Sequence, residues 1–209
     1  MTRPFRDYLS SLPLVAILRG LKPENAEAVG HALVEAGFRI IEVPLNSPEP
    51  LRSIEILAKT MPEDVLVGAG TVLEPEAVDR VRDAGGALIV MPHSDLDVVR
   101  RAKTLGLACA PGVATPTEAF AALKAGADAI KIFPAEAMPP AVVKAWRAVL
   151  PKDAVVVPVG GIKPETMKSY VDAGADGFGL GSALFTPAMP PEEVGRNARA
   201  FAQAWSALA

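Results

Sequence analysis

Apolar residues along this chain come in short, nearly unbroken runs separated by longer amphipathic stretches. Strand-like runs begin near Leu14, Arg39, Val65, Ala87, Leu107, Ala127, Ala154 and Ala175. Their spacing of about 20 to 27 residues is the size of one strand–helix unit with short loops. Four joints share a phrase: Glu35-Ala36-Gly37-Phe38, Asp83-Ala84-Gly85-Gly86, Lys124-Ala125-Gly126-Ala127 and Asp172-Ala173-Gly174-Ala175. Each reads as a helix ending on a C-cap glycine that feeds the next strand. Helix starts are signalled at Pro23-Glu24, at Ser47-Pro48-Glu49, at Ser94-Asp95-Leu96-Asp97 and, with capping-box spacing, at Thr115-Pro116-Thr117-Glu118. Residues 4 to 12 read as a short N-terminal helix, and residues 190 to 207 as the closing one. Near-continuous apolar strands alternating with helices indicate a parallel sheet covered on both faces. Eight such units in about 200 residues predict a single closed (β/α)8 TIM barrel, one domain spanning 1–209.

Composition narrows the class further. The chain is half apolar and 22% charged, with a net charge of −3. It carries no basic excess to suit nucleic acid or an anionic membrane surface. No window approaches the roughly 18 uninterrupted apolar residues of a membrane span, and the opening Met1-Thr2-Arg3-Pro4-Phe5-Arg6-Asp7 lacks the apolar core of a secretory leader. Cys109 is the single cysteine, which excludes an internal disulfide and fits a reducing cytoplasm. The twenty prolines stand singly at the edges of apolar runs and punctuate structure.

In such a barrel, chemistry belongs at the C-terminal ends of the strands. The sixth run, Ala127 to Ala137, carries Lys131 and is stopped by Pro134. Alternation puts Ala129, Lys131 and Phe133 on one face. Burial there would favour the neutral amine, the species that attacks carbonyls. The competing reading is a lysine that snorkels to a surface carboxylate. Glu42 stands in the otherwise apolar run Arg39-Ile40-Ile41-Glu42-Val43-Pro44, either as a general acid/base or as a buried acid paired structurally with Arg19 or Lys131. Gly160-Gly161 and Gly179-Leu180-Gly181-Ser182 close the last two strands, where backbone N–H groups and the following helix N-termini can cradle a phosphate. Tight turns alone would also explain a glycine pair. Cys109 reads as a packed thiol and His31 as a surface or packing residue. His93, on a strand-exit loop, has no neighbours with which to form a metal centre, and none is expected.

Taken together, Ala16-Ile17-Leu18-Arg19-Gly20, Glu42-Val43-Pro44-Leu45-Asn46-Ser47, Gly68-Ala69-Gly70-Thr71-Val72, Lys131-Ile132-Phe133-Pro134-Ala135-Glu136 and Val159-Gly160-Gly161-Ile162 resemble the Schiff-base-forming 2-keto-3-deoxy-6-phosphosugar-acid aldolases. The resemblance runs from Leu14 to about Phe185. It implies a phosphorylated 2-keto-3-deoxy sugar acid as substrate, no cofactor, and a homotrimer. It makes Lys131 the nucleophile on the C2 ketone and Glu42 the proton shuttle, working through a bound water. Arg19 and Thr71 would hold the carboxylate; Gly160, Gly161, Gly181 and Ser182 would hold the phosphate. The gluconate branch of the family typically has arginine and threonine where this chain has Asn46 and Val159. Both departures point to the galactonate branch, with Val159 affecting which C4 epimer is accepted. Pro158 and the Phe133-to-Glu136 run look like the gluconate type, so the epimeric substrate stays open. Two other readings are a phosphate-binding barrel isomerase or epimerase, which would need a second strand-borne acid or a metal cluster, and a non-catalytic binder of phosphorylated ligands.

Overall fold

The computed structural model describes residues 4–208; Met1–Arg3, on which the absence of a leader was partly read, and Ala209 lie outside the described residues. The chain runs α1 (Phe5–Leu9), β1 (Leu14–Ile17), α2 (Pro23–Glu35), β2 (Ile40–Pro44), α3 (Pro50–Thr60), β3 (Leu66–Gly70), α4 (Pro75–Asp83), β4 (Leu88–Val90) and α5 (Leu96–Thr104). It continues β5 (Ala108–Ala110), β6 (Gly112–Val113), α6 (Pro116–Lys124), β7 (Ile130–Ile132), α7 (Pro140–Arg147), β8 (Val156–Pro158), α8 (Met167–Asp172), β9 (Phe178–Leu180) and α9 (Pro191–Ser206). Among the described residues no helix is long and apolar enough to cross a membrane.

All strand pairs are parallel, in a curled six-stranded sheet ordered β5-β4-β3-β2-β1-β9 and a three-stranded sheet ordered β6-β7-β8. The α/β architecture is thus as expected, but the single closed eight-stranded ladder is not what forms. Pro111 has no N–H and divides the fifth apolar run into β5 and β6. Between β8 and β9 the pairing shrinks to one bridge, Val159 with Gly179.

Each strand buries both faces, which is why its sequence is apolar throughout instead of alternating. One face, including Ala16, Ile41, Val67 and Ile130, packs under the helices. The other, including Val15, Ile40, Leu88 and Ala129, packs with Phe5, Tyr8 and Leu9 of α1. Gly37, Gly85, Gly126 and Gly174 take φ between 88° and 101° where their helices end, a region that costs an L side chain about 1–2 kcal/mol. The capping box also forms. Glu118 N–H donates to Thr115 Oγ1 at 3.3 Å, and Thr115 N–H donates to Glu118 Oε2 at 2.8 Å. The expected start of α3 is displaced: the helix begins at Pro50 after Glu49, which has φ 41°. Ser47 is instead buried and accepts the Gly20 N–H at 2.9 Å, tying the exits of β1 and β2 together.

Candidate active site

Lys131 lies in β7, registered against Gly112 of β6 and Val157 of β8, and is only 7% exposed. It shares the inner face with Ala129 and Phe133, and its Nζ stands 4.6 Å from the Phe133 ring centroid, a cation–π distance when protonated. Among the described residues no carboxylate lies within ion-pair distance of it, and at 7% exposure it does not snorkel to a surface acid. Burial lowers its pKa; the nearby Glu42 charge opposes that shift and Arg19 adds to it.

Glu42 lies in β2 between Ile17 and Gly68 and is 1% exposed. Burial pushes its carboxyl up to about 7, against the weaker pulls of Lys131, Arg19 and the Gly70 backbone. Its Oε2 has no hydrogen-bond partner. A structural ion pair with Arg19 or Lys131 is therefore absent: the acid is near these cations without contacting either. The carboxylate packs on Gly70, where an added Cβ would overlap it. Glu42 and Lys131 both line a small apolar chamber with Phe5, Val157 and Val159, of about 20 Å³, room for about one water.

Above the amine opens a cleft of about 260 Å³, lined by Arg19, Lys131, Phe133, Val159, the Gly160-Gly161 turn, Gly181 and Ser182, together with Glu136 and Lys163. Gly160 and Gly161 have φ of 112° and 63°, and a Cβ at Gly181 would project into open space. Arg19 Nη1 donates to Asn46 Oδ1 at 2.6 Å, and its Nη2 lies 3.4 Å from Thr71 Oγ1. Thr71 is thus coupled to the cleft through Arg19 and does not line it. It holds φ 55°, a left-handed conformation that is strained for a β-branched residue.

The helix expected directly after Ser182 is not there; a turn at 182–184 leads on to α9, which begins only at Pro191. After Gly161 a single 3-10 turn (Pro164–Thr166) precedes α8. The turns expected to cradle an anion therefore offer backbone N–H groups without a long helix behind them. Lys163, a cation two residues past the glycine turn, was missed in the sequence, although its position beside that turn is a readable signal. His93 is exposed and lines neither cavity, while His31 on α2 lies 3.8 Å from Glu27. Cys109 packs under the helices, and burial lifts its thiol to about 12, leaving it unreactive.

A buried amine from one parallel sheet and a buried carboxyl from the other line the same chamber of an α/β fold, the arrangement of an enzyme class that works on carbonyl compounds. More specifically, residues 6–193 match the model of the KDPG and KHG aldolases, and the chain belongs to that family. It is 49% identical over 196 residues to a probable 2-dehydro-3-deoxy-6-phosphogalactonate aldolase of Rhizobium meliloti, covering 94% of this chain and 92% of that protein. It is 46% identical over 198 residues to the 2-dehydro-3-deoxy-6-phosphogalactonate aldolase of Escherichia coli, covering 95% and 97%. A solved native KDPGal structure superposes with a TM-score of 0.94 at 45% identity, covering 96% of this chain and 98% of that one.

Proposed function

We propose that this protein is a class I aldolase that reversibly cleaves 2-dehydro-3-deoxy-6-phosphogalactonate to pyruvate and glyceraldehyde 3-phosphate. The observation that carries this reading is the Lys131 amine, buried and unpaired at the floor of the cleft with Glu42 beside it.

The neutral Lys131 amine attacks the C2 ketone, and loss of water from the carbinolamine gives an iminium. A base takes the C4 hydroxyl proton, the C3–C4 bond breaks, and its electrons pass into the iminium. Glyceraldehyde 3-phosphate leaves an enamine, which is protonated at C3 and hydrolysed to pyruvate and free amine. Glu42, with a carboxyl near 7, can both give and take a proton at neutral pH. Arg19, oriented by Asn46 and Thr71, holds the substrate carboxylate. The turns at Gly160-Gly161 and Gly181-Ser182 hold the phosphate.

Asn46 in place of arginine and Val159 in place of threonine favour the galactonate epimer, as do the relatives of Rhizobium meliloti and Escherichia coli described above. The gluconate epimer is the second reading, supported by the family model's KDPG members and by the Phe133-to-Glu136 run. We also read the two sheets as one (β/α)8 unit and one domain. In support, the β7 segment bonds both halves of the divided strand, Asp128 N–H to Cys109 O at 2.9 Å and Phe133 N–H to Val113 O at 3.2 Å.

Borohydride reduction in the presence of pyruvate tests the mechanism: a reduced pyruvate adduct is expected on the Lys131 peptide and on no other. Lys131→Met should lose both the adduct and at least about 10³-fold in kcat/KM. Full turnover by that variant overturns the reading. Comparing kcat/KM for the two C4 epimers decides the substrate.

A further inference from the structure

Among the charged groups that line the cleft, the mechanism above leaves Lys163 and Glu136 unused, and Glu136 is the only acid of the two. Glu136 sits on the 3-10 turn Ala135–Ala137, just beyond the Lys131 strand, and lines the cleft opposite the glycine turn. Its backbone is well anchored: Ala135 N–H donates to Val159 O at 2.9 Å, and the buried Tyr170 hydroxyl lies 3.0 Å from Ala135 O and 3.2 Å from Met138 O. The side chain is directed onto Gly160 and Gly161. A Cβ at Gly160 would overlap Glu136 Oε2, and one at Gly161 would come 2.6 Å from Glu136 Cγ. Among the described residues the exposed carboxylate has neither an ion-pair nor a hydrogen-bond partner, although Lys163, Arg19 and Lys131 line the same cleft.

We propose that Glu136 is a release-determining residue, a carboxylate set against the phosphate seat so that a ligand held by its phosphate alone binds weakly and leaves quickly. The inference rests on the assignment of Gly160, Gly161 and Ser182 to the phosphate. A phosphate dianion bound at that turn comes within contact range of a second anion. Glu136 is exposed, so water screens the repulsion, which at contact distance still amounts to about 1 kcal/mol. The intact sugar acid tolerates it, because the iminium at Lys131 and Arg19 at the carboxylate hold the rest of the molecule. Once C3–C4 has broken, the triose phosphate has lost both tethers and only the opposed phosphate contact remains. Glu136 thereby separates affinity for substrate from affinity for product, which share one phosphate group.

Glycerol 3-phosphate, the reduced analogue of the triose phosphate that lacks the reactive aldehyde, is the probe, measured as an inhibitor of cleavage by wild type, Glu136→Gln and Ser182→Ala. The expected result is that Glu136→Gln binds it about tenfold more tightly, with a smaller fall in KM for the sugar acid. Borohydride trapping of pyruvate on Lys131 checks that each variant is folded. An unchanged or weaker inhibition constant in Glu136→Gln, with Ser182→Ala weakened, overturns the role of Glu136 and leaves the phosphate seat standing. If Ser182→Ala and Glu136→Gln both leave inhibition unchanged, the phosphate seat itself is misplaced and the inference falls with it.

Discussion

The Glu42 carboxyl is where chemistry and stability conflict most directly. In the unfolded chain it ionises near the ordinary glutamate value of 4.5, whereas in the fold it holds its proton up to about 7. Below 4.5 both states are protonated and burial costs nothing through titration. As pH rises from 4.5 to 7 the unfolded state releases its proton first, so folding becomes progressively less favourable, by up to about 3 kcal/mol at and above pH 7. Glu42→Gln, neutral and of nearly the same shape, should therefore match wild type in thermal stability at pH 4.5 and exceed it at pH 8. The expected gain is about 6–12 °C in Tm for a chain of this size. The same variant should lose the limb near pH 7 from the kcat/KM profile. Calorimetry showing the same difference at both pH values would contradict the assignment of that carboxyl. A site that destabilises its own fold in this way is the usual cost of a pKa tuned for proton transfer.

Helix α6 shows how far local signals act alone. Its capping box joins Thr115 and Glu118 reciprocally, and Glu118 Oε2 also accepts the Ala114 N–H at 2.9 Å. Thr115→Ala removes one cap acceptor and should cost about 1 kcal/mol, a fall of about 2–4 °C in Tm. Neither residue lines the cleft, so kcat should stay at the wild-type value. A comparable drop in kcat would mean that α6 positions the site. Where the element was less legible, at α3, the reason is tertiary. Ser47 has the right chemistry for an N-cap, but its hydroxyl is engaged by the Gly20 N–H from a neighbouring strand exit.

For the molecule as a whole, the burial of Glu42 and Lys131 depends on α1. Phe5, 4% exposed, helps wall the chamber that holds Glu42 and Lys131 and packs against the inner faces of strands distant in sequence. Phe5→Ala should cost about 3–5 kcal/mol and admit water beneath the two catalytic candidates. With burial relieved, the Glu42 carboxyl should titrate closer to 4.5, and the neutral limb of the pH profile should move to lower pH with it. Isotope-edited NMR of the Glu42 carboxyl in this variant measures the shift directly. A midpoint still at about 7 would show that desolvation from this side is not what raises it.

Much of this protein was determined by sequence alone. Strand starts, the four glycine joints and the capping box depend on backbone sterics and on bonds a few residues long, so they can be read from short windows. Lys131 and Glu42 stood out for a similarly local reason: each interrupts an apolar run that leaves little room for charge. Tertiary structure decided what no window contains. The missing N–H of Pro111 was visible, but the division into two sheets depended on which partner strand needed that donor. The absence of an ion pair at Glu42 depended on where β1 and β7 bring Arg19 and Lys131. The closeness of Glu136 to Gly160 and Gly161 came from a register between segments more than twenty residues apart. Local conformation is fixed by near neighbours and thus by sequence windows; burial, pKa and contact across the cleft are properties of the space between elements, and exist only once the chain has folded.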